Sequence, residues 1–304
     1  MVNSELMKAV SLGTAFLLVV NDCSVFAVTF ILKKVMMGSR IVILLFIVVI
    51  SNSCSTSKYA ASNKAYKKQA KTFAKELSKQ PGAVDSAMNA GEWVGTTNFG
   101  MRKPNFVIIH HTAQNACDST LRTFTLTRTQ VSAHYVICKD GTIHHMLNDY
   151  LRAWHAGNSK WGNLTDVNSS SIGIELDNNG FETFTEPQIN SLLVLLKKLK
   201  RDNNIPTANF IGHSDIAPKR KVDPNKYFPW QLLAQNGFGN WYDTTNVKLP
   251  ENFNAMQSLR IIGYDTKDSA AAVKAFKLHF VQQDSIPKLN EGDKKIIYDL
   301  SKKY

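Results

Sequence analysis

Three short apolar runs in the middle of the chain each carry a polar side chain at or near their end. Phe106–His111 and Asn209–His213 finish in histidine, and Ile172–Leu176 encloses the carboxylate of Glu175. Apolar runs of this length predict buried strands, and a lone acid is rarely buried without a partner. Three strands that bring such groups toward a common end favour a metal-centred hydrolytic site over simple packing.

The segment Gly212–Pro224, which follows the second histidine run, is rich in charge and contains two prolines. The prolines exclude a helix across the segment, so the loop returns Lys221 and Asp223 toward His213. A histidine, an aspartate and a cation at a strand end are typical of hydrolytic metal sites. A solvated basic loop remains the alternative for this stretch taken alone, because three basic residues run together in it.

Helical and strand patterns alternate around these runs, which predicts an α/β layered domain. Near the carboxyl end, Asp243–Pro250 has the composition of a linker. The predicted elements are a helix containing Leu121–Leu126, a hairpin of strands Ser132–Cys138 and Thr142–Leu147 turning at Lys139-Asp140-Gly141, a helix with Thr185 as N-cap and Gln188 completing a capping box, and three short helices over Ala255–Ile262, Ser269–Phe280 and Asp293–Leu300.

The amino-terminal segment contains two apolar stretches. The first, residues 9–32, is interrupted by Asn21-Asp22, which is costly at the centre of a membrane span. The second, Ile41–Ile50, has the length of a signal-peptide core. It leads through small residues to Cys54, and this pattern resembles a bacterial lipoprotein signal, in which the cysteine is lipidated and becomes the first residue of the mature protein.

We therefore expect residues 1–54 to be a signal or membrane segment. Our hypothesis is that translation begins at Met36 or Met37, so that residues 1–35 are an extension upstream of the true start. A genuine upstream membrane segment is the alternative. Residues 55–92 are polar and Lys-rich and form the predicted tether, either a weakly amphipathic helix that rests on a membrane or on the domain, or a plain solvated linker.

The net charge indicates which partners the protein can bind, and the cysteine spacing indicates whether a thiolate site or a disulfide is expected. The formal net charge is +12, and +10 of it lies after residue 54. Such a surface favours polyanions, but the lysines are scattered and no nucleic-acid motif is present, so we expect no nucleic-acid partner. The four cysteines form no Cys-x-x-Cys pair. Cys117 and Cys138 could pair in an oxidising compartment, although two unpaired small hydrophobic residues are preferred.

Five segments follow one another between Phe106 and Trp241. They are Val107–His110, Ser132–Tyr135, Ala153–Gly157, Ser171–Leu176 and Gly212–Pro224. Together they resemble the zinc-dependent N-acetylmuramoyl-L-alanine amidases of the type 2 family, whose fold is shared by peptidoglycan recognition proteins. The resemblance implies a mixed central sheet flanked by helices, with a catalytic domain over residues 93–242. Residues 251–304 resemble, less specifically, the peptidoglycan-binding-like three-helix domain of outer-membrane lipoprotein amidases.

The resemblance also implies a catalytic site. Zinc would be held by His110, His213 and Asp223, a set that leaves a fourth position open. Glu175 would be the general base for the attacking water, and Lys221 would stabilise the charge on the carbonyl oxygen. In some relatives a cysteine replaces the aspartate ligand and a tyrosine acts from the hairpin strand. Asp223 and Ala133 at these positions indicate the bacterial branch that uses Glu175 and Lys221.

Other residues of the matching segments have weaker assignments. Trp154 and His155 line the substrate groove in the first interpretation, and a packed loop aromatic with a structural histidine is the alternative. His134 is expected to be structural. His111 points away from His110 if both lie on one strand, so we leave it out of the zinc ligands.

The implied reaction is hydrolysis of the amide between N-acetylmuramic acid and L-alanine, in peptidoglycan or muropeptides, for cell-wall turnover or recycling. We expect a monomer anchored by lipid in the bacterial envelope, at the outer membrane and facing the periplasm. A non-catalytic wall-binding protein on the same fold is the second hypothesis, which loss of a ligand would favour. A metallopeptidase has no support, because the chain has no His-Glu-x-x-His motif.

Overall fold

The structure, a computed structural model, describes residues 57–79, 94–284 and 286–304, together with the backbone of two amino-terminal strands. The chain divides into two compact units, Met1–Thr72 and Phe73–Tyr304. Within the first unit, β1 (Phe16–Asn21) and β2 (Ser24–Thr29) pair as an antiparallel hairpin. The predicted signal-peptide core, the proposed start sites and Cys54 lie outside the described residues.

The tether region contains α1 (Ala60–Leu77), an 18-residue helix with no buried residue. Its larger apolar side chains, including Phe73 and Leu77, are exposed. None of the helices in the described part of the chain is long and apolar enough to cross a membrane.

A five-stranded mixed sheet forms the centre of the second unit. Its spatial order is β5-β4-β6-β3-β7, and β3 pairs in parallel with both β6 and β7. β4 is parallel to β6, whereas β5 is antiparallel to β4 because the two form the predicted hairpin. The strands are β3 (Phe106–His111), β4 (Tyr135–Ile137), β5 (Ile143–His145), β6 (Ser171–Leu176) and β7 (Phe210–Gly212). This architecture confirms the expected fold class.

Helices flank this sheet in the described residues of this unit. They are α2 (Cys117–Thr125), α3 (Val167–Ser170), α4 (Glu186–Asn203), α5 (His213–Ile216), α6 (Trp230–Gln235), α7 (Ala255–Ile262), α8 (Ser269–Phe280) and α9 (Glu291–Ser301). The three predicted carboxyl-terminal helices are therefore present, and α7 and α8 have the predicted bounds. A single turn of helix, α5, begins at His213 where the sequence predicted loop.

The two faces of the sheet have different partners. Because side chains alternate along a strand, Val107 and Ile109 pack with Leu192 and Leu196 of α4 in one buried cluster. Ile108 faces the other way and belongs to a second cluster, with Ile211 of β7 and with residues of α7, α8 and α9. The carboxyl-terminal helices thus share a core with the sheet.

Two local predictions are wrong. Thr185 does cap α4, accepting from the Gln188 backbone N–H at 3.3 Å, but no capping box forms. The Gln188 side chain is buried and donates to the carbonyls of Ile137 and Asp177 at the ends of β4 and β6. A buried carbonyl without a donor is costly, whereas the exposed backbone N–H at the start of a helix can bond to water. Cys117 and Cys138 are joined in a disulfide that ties α2 to the end of β4, so the preferred unpaired state is also wrong.

Candidate active site

His110, His213 and Asp223 meet in the interior at the carboxyl ends of β3 and β7. The Nδ1 atoms of the two histidines are 2.9 Å apart, and Asp223 Oδ2 lies 3.1 Å from His110 Nδ1 and 2.9 Å from His213 Nδ1. All three side chains are buried. The structure therefore brings together the three residues that the sequence predicts as metal ligands, within the range that one ion can bridge.

The protonation of these groups suits a cation. His213 Nε2 faces the Ala156 carbonyl at 3.2 Å, and a carbonyl only accepts, so the proton is on Nε2 and the Nδ1 lone pair points into the cluster. Burial, then the charge of His213, lowers the pKa of His110 to about 4. Burial raises the pKa of Asp223, but the facing imidazoles of His110 and His213 outweigh it and hold that pKa far below its ordinary value. Two imidazole nitrogens and a carboxylate oxygen form a donor set that fits zinc.

Glu175 lies on the same face of the sheet as His110, because the two are register partners on adjacent parallel strands. Burial, then the charge of Asp223, raises the pKa of the Glu175 carboxyl to about 8, while Lys221 lowers it. Its Oε2 atom is buried and has no hydrogen-bond partner among the residues that the structure describes. A carboxylate with a raised pKa and a free oxygen suits a general base that works near neutral pH.

Lys221 supplies a positive charge at the same place. Its ammonium acts on the pKa values of His110, His111 and Glu175, lowering each of them. The side chain is only half-buried, so it borders solvent and a substrate can reach it. A cation beside a buried carboxylate can meet negative charge that develops on a carbonyl oxygen.

The neighbouring aromatic residues separate into two groups. Trp154 is 50% exposed and is free to contact a substrate. His155 is buried, as the structural alternative for this ring expects. His134 is also buried and accepts from the Gly173 backbone N–H at 3.1 Å, in keeping with a structural role. His111 accepts from the Asn225 backbone N–H at 3.1 Å, away from the three ligands.

The sequence did not predict a buried hydrogen-bond network around Asp215, next to the site. Asp215, two residues after His213, is fully buried and accepts from the Gly212 backbone N–H, the Tyr264 hydroxyl and His279 Nδ1, each at 2.7 Å. Tyr264 follows α7 and His279 lies in α8. The acidic residue in Gly212–Asp215 was the available signal, because a buried aspartate needs partners. Nothing local identifies partners that lie 49 and 64 residues away.

Comparison with known proteins decides the family. A family model described as N-acetylmuramoyl-L-alanine amidase matches residues 100–226. The N-acetylmuramoyl-L-alanine amidase AmiD of Escherichia coli K12 is 35% identical over 206 residues, which are 57% of this chain and 74% of AmiD. The chain belongs to the N-acetylmuramoyl-L-alanine amidase family. The 1,6-anhydro-N-acetylmuramyl-L-alanine amidase AmpD of Haemophilus influenzae is 40% identical over 103 residues, 34% of this amidase and 56% of AmpD.

Solved structures extend the similarity past the segment that the family model matches. A complex of E. coli AmiD with anhydro-N-acetylmuramic acid-L-Ala-D-γ-Glu-L-Lys has a TM-score of 0.61 and 30% identity, covering 69% of this amidase and 93% of AmiD. AmpDh3 from Pseudomonas aeruginosa, also solved with anhydromuramic pentapeptide, has a TM-score of 0.61 and 29% identity, with coverages of 71% and 98%. The predicted family, fold and amidase activity are thereby confirmed.

Proposed function

We propose that this amidase is zinc-dependent and cleaves the amide between N-acetylmuramic acid and L-alanine, with His110, His213 and Asp223 holding the metal. The convergence of two imidazole Nδ1 atoms and one carboxylate oxygen within 3.1 Å of one another carries the proposal. Without a cation, lone pairs and a negative charge would face each other in the interior, which is costly.

The side chains around this cluster match the requirements of amide hydrolysis. Zinc, when bound, supplies Lewis acidity and lowers the pKa of a coordinated water to about 7. Glu175 takes a proton from the attacking water as the new C–O bond forms, and then returns it to the nitrogen of L-alanine as the C–N bond breaks. Lys221 stabilises the negative charge that develops on the carbonyl oxygen. The carboxyl group ends each cycle in its starting state.

The substrate is proposed to be peptidoglycan or a muropeptide derived from it. AmiD and AmpDh3 have been solved with anhydromuramic peptides, and the chain resembles both over more than two thirds of its length. The net charge of +12 suits a ligand that carries free carboxylates. Trp154, half exposed and next to His155 in the sequence, is proposed to line the groove.

The decisive experiment incubates the zinc-loaded full chain with purified muropeptides and analyses the products by mass spectrometry. We expect release of stem peptides that begin with L-alanine, lost on chelation and restored by zinc. His213→Ala should release none above background, because the site loses one of its three ligands. Undiminished release by the chelated enzyme would contradict zinc dependence. No release by the zinc-loaded enzyme, with binding to purified wall retained, would favour the wall-binding alternative.

We also propose that Cys54 is lipidated and that the enzyme faces the periplasm from the outer membrane. The Cys117–Cys138 disulfide supports an oxidising compartment, and the sequence around Cys54 supports the anchor. Intact mass spectrometry of the protein from its native host should give a chain that begins at Cys54 and carries acyl groups. Cys54→Ala should abolish the acyl mass. A mature protein that retains residues upstream of Cys54 would contradict this proposal.

A further inference from the structure

His155 lies next to the ligand His110 and has no access to a substrate. The residue is only 8% exposed, and its ring covers Gly173 of β6 so closely that a Cβ atom at this glycine would overlap the imidazole. The backbone around it is held by Asn168, whose Oδ1 accepts from the N–H groups of His155 and Ala156 at 3.1 and 2.9 Å. The ring therefore has one orientation, with one nitrogen toward His110 and the other toward Ser171.

The direction of the hydrogen bonds follows from Ser171. Its hydroxyl donates to the Val167 carbonyl at 2.6 Å. A hydroxyl has one proton, so Ser171 Oγ can only accept from His155 Nε2, which is 3.2 Å away. A neutral imidazole protonated at Nε2 has its lone pair on Nδ1. His155 Nδ1 therefore accepts from His110 Nε2, at a distance of 3.1 Å.

His110 is the end of this chain of hydrogen bonds. Once its proton is committed to Nε2, its lone pair is on Nδ1, the atom that lies 2.9 Å from His213 Nδ1 and 3.1 Å from Asp223 Oδ2. The opposite tautomer would put a proton where a metal must bind. The Val167 carbonyl thus determines the tautomer of His110, through the side chains of Ser171 and His155.

We propose that His155 and Ser171 are positioning residues that hold His110 in its metal-binding tautomer and orientation. The proposal rests on the proposed zinc site and assigns a role to two side chains that the mechanism does not use. Both side chains are buried. Loss of a residue that orients a ligand histidine typically lowers metal affinity by about 10- to 100-fold.

The test measures the zinc dissociation constant of the purified full chain by competition with a chelating dye. We expect Ser171→Ala to raise this constant about 10-fold and His155→Leu about 100-fold. His155→Gln should lose less than His155→Leu, because a carboxamide oxygen can still accept from His110 Nε2. Cobalt-loaded His155→Leu should show altered visible absorption bands, whereas a residue that only fills space would leave the ligand field unchanged.

Thr120→Val is the matched control. Thr120 is buried and its hydroxyl has no hydrogen-bond partner within the described part of the chain, so its removal should leave zinc affinity unchanged. Circular dichroism of each metal-free variant establishes that it is folded at the assay temperature. Folded Ser171→Ala and His155→Leu proteins that bind zinc as tightly as Thr120→Val would overturn the proposal. Failure of the unmodified chain to bind zinc would instead reject the proposed zinc site.

Discussion

Replacing Glu175 with Gln is expected to lower kcat by about 100- to 10,000-fold, the usual contribution of a general acid–base group. Glutamine keeps the shape of the side chain but cannot take a proton from water or return one to the leaving nitrogen. Glu175 is suited to this task because burial and the charge of Asp223 raise its pKa to about 8. The rate of muropeptide cleavage at saturating substrate is the measurement.

Zinc content separates a chemical effect from a structural one in this variant. Glu175 is not one of the three converging ligands, so Glu175→Gln should bind one zinc ion per chain. Glu186→Gln, at an exposed position in the first turn of α4, removes the same charge from a side chain outside the three converging ligands and should retain full activity. A Glu175→Gln enzyme with undiminished kcat would remove this residue from the mechanism.

The second large effect is expected at the contact between Asp215 and the carboxyl-terminal helices. The double variant Tyr264→Phe/His279→Phe keeps both rings but removes the hydroxyl and the N–H that donate to this buried carboxylate. Hydrogen bonds to charged groups contribute about 1.5–3 kcal/mol each, so loss of both should lower the free energy of unfolding by about 3–6 kcal/mol. Thermal unfolding should occur roughly 10 °C lower, since 1 kcal/mol shifts Tm by about 2–4 °C in a domain of this size.

Phenylalanine preserves the packing, which makes this variant specific. The His279 ring stacks on Trp230 with centroids 3.8 Å apart, and a phenyl ring can occupy the same place. Tyr227→Phe removes a hydroxyl from a side chain that is 47% exposed and should change stability by less than about 0.5 kcal/mol. If the double variant and Tyr227→Phe unfold at the same temperature, the carboxyl-terminal helices stabilise α5 by apolar packing alone.

The contact gives the carboxyl-terminal helices a role inside the catalytic region. Asp215 occupies the third position of α5, the helical turn that begins with the ligand His213. Tyr264 and His279 therefore fix this turn through their hydrogen bonds to Asp215. The apolar cluster that contains Ile108 and Ile211 packs the same helices against the sheet. We expect the double variant to weaken zinc binding as well as folding.

Local pattern predicted the buried strands and the longer helices, and the family resemblance added the roles of the residues that meet at the site. The apolar runs before His110 and His213 predicted two of the buried strands, and α7 and α8 begin and end where their helical spacing indicated. Periodicity reports which face of an element is buried. Periodicity therefore predicted that Glu175 lies on a buried strand, but it did not identify a partner for the carboxylate.

Only the tertiary structure decided which buried polar side chains become hydrogen-bond partners around the site. His155 proved to be a buried neighbour of His110, Gln188 turned from its helix to the strand ends, and Asp215 found partners in distant helices. Each outcome depends on contacts between residues far apart in the chain, set by the pairing of β3 with β6 and β7 and by the packing of helices on the sheet. Such contacts leave no periodic signal, because a buried polar side chain takes whichever partner the fold brings within reach.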